Sequence, residues 1–340
     1  MELGLDTFGD VTVDAHGTRL PGAQVIRNVV EQGVLADQLG VDAFGIGEHH
    51  RDDFAVTAPE VVLAAIAART ERIWLGTAVT VLSSDDPIRV YERFATLDAV
   101  SNSRAEITLG RGSFIESFPL FGYDLDDYET LFSEKLDLFA AVRAEKPFSW
   151  QGTVRAPLEN ADVFPKTESG SIRTWIGVGG TPESVIRAAR YGFGLMLAVI
   201  GGAPERFAPY AELYRRALRE LGSPQLLIGV HSPGFVADTD GEAKELLFPY
   251  FKEQRDRIGR ERGWPPTNRQ QFEFEVADGA VFAGSPETVA AKIARTVRAL
   301  GVDRFDLKYS NGAMPHEHLM RAVELYGTEV APRVRELLAQ

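Results

Sequence analysis

The feature that most constrains this chain is a regular alternation of strand-like and helix-like segments along its 340 residues. Short apolar or β-branched runs predict strands, and segments with apolar residues three or four positions apart predict the helices between them. The predicted strands cover residues 2–6, 43–47, 73–82, 104–109, 174–178, 194–200, 226–237 and 304–309. Eight such units favour a closed parallel barrel over the other α/β possibility, a doubly wound open sheet.

Two longer stretches interrupt the alternation, one after the fourth predicted strand and one after the seventh. Residues 124–165 combine a helical segment with short strand-like pieces. Residues 239–285 combine a charged helix with the run WPPTNRQQ, which we expect to be irregular. No shift in composition marks a second domain. The sequence therefore predicts a single α/β domain over residues 1–340, a (β/α)8 or TIM barrel with insertions after strands 4 and 7.

Composition and charge restrict the kinds of partner that the chain can have. The formal net charge is −13 without any basic run, so we expect no binding to nucleic acid or to an anionic membrane. The longest apolar runs, such as LMLAVI, are far shorter than the roughly 20 residues of a membrane span. The N-terminus lacks the pattern of a signal peptide, and the absence of cysteine excludes disulfides and thiolate chemistry. We expect a cytoplasmic protein that acts on a small molecule.

Three consecutive ionisable residues, Glu48, His49 and His50, follow the second predicted strand in the run FGIGEHH. They form either a polar strand end that faces water or part of a site at the barrel mouth. Adjacent side chains on an extended segment face opposite sides, so we do not expect one metal ion to be bound by both histidines, and we predict no metal site. The same alternation favours His49 as the residue that faces the barrel axis and exchanges protons, with His50 mainly structural.

Glycine-rich segments after the fourth and fifth predicted strands suggest a site for an anion. Residues 110–113 read GRGS and residues 179–182 read GGTP. Glycine allows a backbone to approach a ligand closely, and arginine can donate two hydrogen bonds to a phosphate. Arg111 therefore has two interpretations, a phosphate ligand or an ion pair with a carboxylate at the barrel rim.

One internal similarity concerns the starts of two helices. GTPESV at residues 180–185 and GSPETV at residues 284–289 share a hydroxyl residue, a proline and a glutamate. This pattern is typical of a helix start, and either copy could present free backbone N–H groups to a phosphate or be an ordinary cap. We favour the first copy because its glycine pair directly follows a predicted core strand.

Lys308 is a further candidate, since a buried lysine in a barrel strand can form a Schiff base with a carbonyl substrate. It alternates along the eighth predicted strand with Asp306 and Ser310. An internal ion pair is therefore the favoured interpretation.

Several motifs, in this order along essentially the whole chain, resemble the bacterial-luciferase-like family of flavin-dependent oxidoreductases. They are FGIGEHH at 44–50, WLGTAVTVLSSDDP at 74–87, SRAEITLGRG at 103–112, WIGVGGTPESVIRAARYG at 175–192, and the closing GSPETVAAKI and DLKYSNGAMP. The resemblance implies a (β/α)8 barrel that binds flavin mononucleotide (FMN) at its C-terminal mouth, usually as a homodimer. It also implies a separate flavin reductase, and O2 as the oxidant of a small organic substrate.

The resemblance assigns roles to individual residues. His49 and His50 match the active-site histidine pair of the family, and Ala78 and Val79 match a non-prolyl cis peptide behind the flavin ring. The residues that it places at or beside the phosphate are Arg111, Ser113, Gly179, Gly180, Thr181 and Ser184. Gly110 and Gly180 stand where luciferases carry a cysteine and a glutamate, so light emission from a long aldehyde is not implied.

The leading hypothesis from the sequence is a flavin-dependent monooxygenase in which a histidine manages protons in a dry pocket. The alternatives are a deazaflavin (F420)-dependent dehydrogenase on the same fold, a non-catalytic flavin-binding protein and a metal-dependent hydrolase. Helices predicted at 58–69 and 88–100 are rich in Ala, Val and Leu, and we expect a homodimer to form on that side.

Overall fold

The described residues of the computed structural model, 1–112 and 114–340, are built around a parallel sheet that closes on itself. Its strands are β1 (Glu2–Thr7), β2 (Ala43–Ile46), β3 (Trp74–Thr77, continued after a break by Thr80–Val81), β4 (Glu106–Gly110), β5 (Arg173–Val178), β6 (Gly194–Ala198), β7 (Ile228–Val236) and β8 (Arg304–Lys308). β8 pairs with both β1 and β7, and a parallel bridge between Leu75 and Ala105 joins β3 to β4. The predicted TIM barrel is confirmed.

A helix follows each barrel strand and packs on the outside of the sheet. These helices are α1 (Gly22–Gln38), α2 (Pro59–Ala67), α3 (Pro87–Val100), α4 (Tyr128–Arg143), α5 (Pro182–Tyr191), α6 (Ala208–Glu220), α7 (Pro286–Leu300) and α8 (His316–Leu325). A π-helical turn at Tyr326–Val330 joins α8 to a last helix at Ala331–Ala339, and short 3-10 turns lie at Leu82–Ser84, Leu125–Asp127 and Pro204–Phe207. Among the described residues, no helix combines the length and the apolar character that crossing a lipid bilayer requires.

Local signals fix where these helices begin and end. At the start of α3 the Asp86 carboxylate accepts hydrogen bonds from the backbone N–H groups of Ile88 and Arg89, and Pro87 occupies the first turn. α5 and α7 end at Gly192 and Gly301, whose φ angles of 67° and 61° are in the left-handed region that glycine adopts without strain.

The two insertions lie where the sequence predicts them, after β4 and after β7. The first adds a short helix (Ser117–Phe121) before α4, and an antiparallel hairpin of Phe148–Trp150 with Leu158–Ala161 after it, so the helical part of the predicted insertion is the barrel helix α4 itself. The second contains two helices, Asp240–Arg262 and Arg269–Ala277, and a strand at Phe282–Gly284 that pairs with β7.

The prediction that WPPTNRQQ is irregular is wrong for the second half of that run. The Asn268 side chain accepts a hydrogen bond from the Gln271 backbone N–H, and the Gln271 side-chain oxygen accepts one from the Asn268 backbone N–H. This capping box starts the helix Arg269–Ala277, so only the part before Asn268 lacks regular structure.

The barrel interior carries charge where an apolar layer is usual for this fold. On β8, Arg304 and Asp306 are both buried, and the Arg304 Nε donates to the two Asp306 oxygens at 2.8 and 2.9 Å. The Arg304 guanidinium also pairs with the buried Glu106 carboxylate on β4, which accepts a hydrogen bond from the Trp175 indole at 3.2 Å. The apolar core lies instead between the sheet and the helices, where Phe305 and Leu307 point outward from β8.

Three glycines on neighbouring strands make room for these inward carboxylates. A methyl group on Gly4 would overlap the Asp306 carboxylate, and one on Gly45 would overlap the Asp6 carboxylate. A methyl group on Gly76 would lie 2.7 Å from the Glu106 side chain. The positions of these glycines therefore follow from the space that the buried charges need.

We predict that Gly4→Ala destabilises the fold, because Asp306 cannot move away from the new methyl group without leaving Arg304. The expected loss in the free energy of unfolding is about 1–3 kcal/mol, the usual cost of overpacking a core, and urea denaturation measures it. Gly241→Ala is the matched control, since no atom lies within 4 Å of a methyl group there and the residue is helical. Equal stabilities of the two variants would contradict the packing argument.

Candidate active site

A cavity of about 440 Å³ opens at the C-terminal ends of the barrel strands. Its wall is formed by the strand ends, by the loops that follow them and by the helix Asp240–Arg262. The predicted site residues that line this cavity are His49, His50, Ala78, Val79, Arg111 and Gly179. Gly180, Thr181 and Ser184 follow Gly179 in the chain and are not part of the lining, and Ser113 is outside the described residues.

The break in β3 brings backbone into the cavity. The peptide bond between Ala78 and Val79 is cis, as the resemblance implies, and both residues line the cavity wall. The Val79 side chain packs against Gly110 and Gly177 on the neighbouring strands, where a methyl group on Gly110 would overlap it. The position of the Val79 side chain therefore requires glycine at position 110. No local sequence signal indicates this requirement.

His49 lies in a cage of aromatic rings. Its imidazole centroid is 4.5 Å from Phe8, 4.3 Å from Phe54 and 5.2 Å from Phe114. The Nδ1 atom is buried without a hydrogen-bond partner among the described residues. Burial, together with the positive charge of Lys308, lowers the pKa of His49 to about 3. At neutral pH the ring is therefore uncharged.

His50 is held by its neighbour two residues earlier. Its Nε2 is 2.9 Å from one Glu48 carboxylate oxygen, and the other Glu48 oxygen accepts the Val81 backbone N–H at 2.8 Å. The ring also meets Phe121 edge-on at 4.9 Å. The carboxylate thus fixes the imidazole against the continuation of β3.

The expectation that the two histidines face opposite sides is wrong, because both line the same cavity. β2 ends at Ile46, before the alternation can reach them. Beyond it, the Glu48 N–H donates to Val79 O at 3.2 Å and the His49 N–H donates to Val56 O at 3.3 Å. Hydrogen bonds to two different segments turn the chain and replace the regular alternation of a strand.

Phe8, directly after β1, is a central residue of the site that the sequence did not reveal. Its ring contacts His49 on one side and lies parallel to His231 at 5.9 Å, with an interplanar angle of 7°. The Lys308 ammonium is 4.5 Å from the ring centroid. Gly47 leaves space for the ring, since a methyl group there would lie 2.5 Å from Phe8 Cδ1.

His231 on β7 and Asp6 on β1 form a second pair that the sequence did not reveal. The His231 Nδ1 is 2.6 Å from an Asp6 oxygen, and both side chains are buried in the cavity wall. The available signal was an ionisable residue at an inward position in each of the two strands.

The internal ion pair expected for Lys308 is present, but its partner is Asp10. The Lys308 Nζ is 3.4 Å from an Asp10 oxygen, and that oxygen also accepts the Ser310 hydroxyl at 2.6 Å. Burial lowers the pKa of Lys308. Asp306, the neighbour on the same strand, is bound by Arg304 instead.

Arg111, which lines the cavity, and a second arginine, which does not, converge on one carboxylate. The Arg111 Nη1 is 3.1 Å from a Glu129 oxygen, and the Arg187 guanidinium pairs with the other Glu129 oxygen. The ion pair considered for Arg111 is thus present, in a shared form. Arg187 lies on α5, three residues after Ser184, and its Nη1 is buried without a partner among the described residues. No sequence motif pointed to Arg187.

The two similar helix starts differ in what already occupies them. At α7 the Asp240 carboxylate accepts the Ser285 N–H at 2.7 Å and the Thr288 hydroxyl at 3.0 Å. At α5, within the described part of the chain, no carboxylate accepts a backbone N–H, and the Thr181 hydroxyl donates to the Ser184 hydroxyl at 2.7 Å. The protein's own anion therefore fills the second copy, which favours the first as the site of an external anion.

The sequence and the fold have known counterparts. A family model described as luciferase-like monooxygenase matches residues 1–304. N-acetyl-S-alkylcysteine monooxygenase from Bacillus subtilis (strain 168) is 28% identical over 289 residues, which cover 80% of this chain and 83% of the relative. The alkanal monooxygenase alpha chain from Photorhabdus luminescens is 22% identical over 97% of this chain and 98% of its own length.

Solved structures share the fold over nearly the whole chain. The monooxygenase RslO1 from Streptomyces bottropensis has a TM-score of 0.84 at 24% identity and covers 98% of this chain and 99% of its own. The oxygenating constituent of 3,6-diketocamphane monooxygenase from Pseudomonas putida, in complex with FMN, has a TM-score of 0.76 at 20% identity with the same coverage. An F420-dependent secondary alcohol dehydrogenase is also similar, at a TM-score of 0.74 and 18% identity, again with the same coverage.

We predict that His49 makes the fold sensitive to acid. The unfolded chain protonates this imidazole below its ordinary pKa of 6.5, whereas the folded protein does so only near pH 3. The stability that depends on neutral His49 is therefore lost as the pH falls from 6.5 towards 3. Between pH 7 and pH 5, urea denaturation should show that wild type loses about 2 kcal/mol more than His49→Gln. A variant at the exposed His16, His16→Gln, should behave like wild type, and the same pH dependence in His49→Gln would refute a neutral, buried His49.

Proposed function

The chain belongs to the luciferase-like monooxygenase family, and we propose that it is a flavin-dependent monooxygenase that uses reduced FMN and O2 to oxidise a small organic substrate. The membership confirms the resemblance drawn from the motifs. The observation that carries the proposal is an aromatic cavity at the barrel mouth that contains a neutral histidine and has Arg111 at its rim, with Arg187 paired to the same carboxylate as Arg111.

The lining of the cavity suits the ring system of a flavin. The cis Ala78–Val79 peptide presents backbone to the cavity, and the absence of side chains at Gly110 and Gly177 keeps Val79 close to the wall. His49 lines the same cavity as an uncharged imidazole, so a flavin ring can lie beside it without meeting a buried charge.

The rim fits the phosphate of FMN. Arg111 and Arg187 share the Glu129 carboxylate, so a phosphate could replace that carboxylate as their common acceptor. The start of α5, with Thr181 and Ser184, adds hydroxyl groups and the positive end of the helix dipole on the side of Arg187. Two guanidinium groups that share one acceptor match the two negative charges of a phosphate better than the single charge of a carboxylate.

When bound, reduced FMN would supply the electrons with which O2 is activated. The chain's own contribution is to position and shield the reacting groups. Phe8, Phe54 and Phe114 keep water from His49, and the low pKa keeps that imidazole neutral, so it can donate or accept one hydrogen bond without carrying charge. Glu48 holds His50 in one orientation at the same cavity. We propose both histidines as catalytic residues.

Partners and assembly are part of the same proposal. We propose a separate flavin reductase as the source of reduced FMN, and a homodimer formed on the side of α2 and α3. The exposed large apolar residues on these helices are Val61, with 67% of its surface exposed, and Val100, with 47%. They support an interface on this side.

We predict that Arg111→Ala weakens the binding of FMN by about 2–3 kcal/mol, the order expected for a charge-assisted contact. Riboflavin lacks the phosphate, so its affinity should not change. Glu129→Gln removes the competing carboxylate and should not weaken the binding of FMN. Fluorescence titration of both flavins measures these effects, and equal losses for FMN and riboflavin in Arg111→Ala would remove Arg111 from the phosphate site.

The F420-dependent dehydrogenase among the similar structures makes a deazaflavin the second candidate cofactor. We predict that the protein binds reduced FMN under anaerobic conditions, that oxidised F420 does not compete with it, and that the bound FMN is oxidised when O2 is added. Absorption spectra and an oxygen electrode follow the two steps. Saturable binding of F420 without binding of FMN would favour the dehydrogenase, and the absence of binding by either would contradict the proposed function.

A further inference from the structure

His231 and Asp6 form a hydrogen-bonded pair in the cavity wall that the proposed function does not use. The two residues come from β7 and β1, and their side chains are buried, with 9% and 2% of their surfaces exposed. The 2.6 Å contact between His231 Nδ1 and Asp6 Oδ2 is short and therefore strong. A buried imidazole paired with a carboxylate is the arrangement with which many enzymes orient a base.

The pairing decides which nitrogen of His231 can meet a ligand. A carboxylate only accepts hydrogen bonds, so Nδ1 carries the proton that Asp6 accepts. In the neutral ring, Nε2 then keeps its lone pair, and it has no hydrogen-bond partner among the described residues. Because His231 lines the cavity, Nε2 is the atom available to a ligand there.

The charges around the two cavity histidines differ in sign. His49 lies beside the positive Lys308, which together with burial lowers its pKa to about 3. His231 lies beside the Asp6 carboxylate, with which it pairs. The Phe8 ring lies between the two imidazoles. A positive charge on His231 is thus offset by Asp6, whereas one on His49 is not offset.

We propose that His231 is a further catalytic residue, the base that takes a proton from an acidic hydroxyl group of the substrate, and that Asp6 is its positioning residue. The O–H bond of the substrate breaks, an N–H bond forms at Nε2, and the electron pair stays on the oxygen. Asp6 offsets the charge of the resulting imidazolium. The step consumes no oxidant or reductant, and it makes the substrate richer in electrons before it is oxidised.

The rest of the cavity indicates what carries the hydroxyl group. Aromatic rings from several segments line it, so a flat and largely apolar molecule would fit against them. They are Phe8, Phe54, Phe114, Phe251 and Trp264. The structure therefore assigns phenol-like or enol-like compounds as the substrate class. This inference rests on the proposed function in one respect only: the substrate and the flavin would occupy the same cavity.

The test uses 4-nitrophenol, whose phenolate absorbs visible light and whose neutral form does not, with protein that contains no flavin. At a pH where the free probe is mostly protonated, wild type should bind it as the phenolate. His231→Gln should lower the ionised fraction of the bound probe about tenfold, and Asp6→Asn, which keeps the imidazole but not its partner, should also lower it. The exposed histidine variant His16→Gln is the matched control and should give the wild-type spectrum.

A second measurement needs no variant and covers the case in which His231→Gln does not fold. In wild type, 15N NMR of the histidine rings should show His231 Nε2 gaining a proton when 4-nitrophenol binds. An unchanged phenolate fraction in a folded His231→Gln, an unchanged Nε2 signal, or no binding of the probe to wild type would each overturn the proposal. Because the assay contains no flavin, its failure is distinct from a failure to bind FMN.

Discussion

The buried ion pair of Arg304 with Asp306 and Glu106 is the interaction on which the inside of this barrel depends. It joins β8 to β4 across the interior, and Arg304 and Asp306 also line the cavity above it. A buried ion pair is weak evidence for stability, but the loss of one partner leaves an uncompensated charge that costs about 3–5 kcal/mol. Gly4 and Gly76, which lie opposite Asp306 and Glu106, provide the space that these carboxylates need.

The same interior charge gives the cavity two different sides. Lys308, held by Asp10, keeps positive charge next to His49, while Asp6 keeps negative charge next to His231. The Phe8 ring separates the two imidazoles. One side therefore suits a neutral hydrogen-bonding role and the other suits a proton transfer, although both side chains are histidine.

The sequence predicted the barrel because each strand and helix carries its own local period, and the order of eight units allows few topologies. The whole-chain domain stays a prediction, as do the roles of the site residues. Only the family resemblance predicted the cis peptide at Ala78–Val79, where β3 is interrupted. Local pattern failed at His49 and His50, where hydrogen bonds to Val79 and Val56 turn the chain after Ile46. The Asp6–His231 pair joins residues 225 positions apart, and no local pattern can reveal a contact that barrel closure creates.

The helix Asp240–Arg262 has a consequence for how relatives of this protein could diverge. At its start, the Asp240 carboxylate accepts a hydrogen bond from the Ser285 N–H at the beginning of α7. Further along, the Gln254 side chain donates a hydrogen bond to Asp10. Between and beyond these anchors, one face of the helix supplies cavity-lining residues at positions 251, 254, 255, 258 and 262. Most of these side chains can change without altering the anchors or the charged interior of the barrel. The second insertion is thus an exchangeable module, through which selection can alter what the cavity admits while the barrel and its buried charges stay the same.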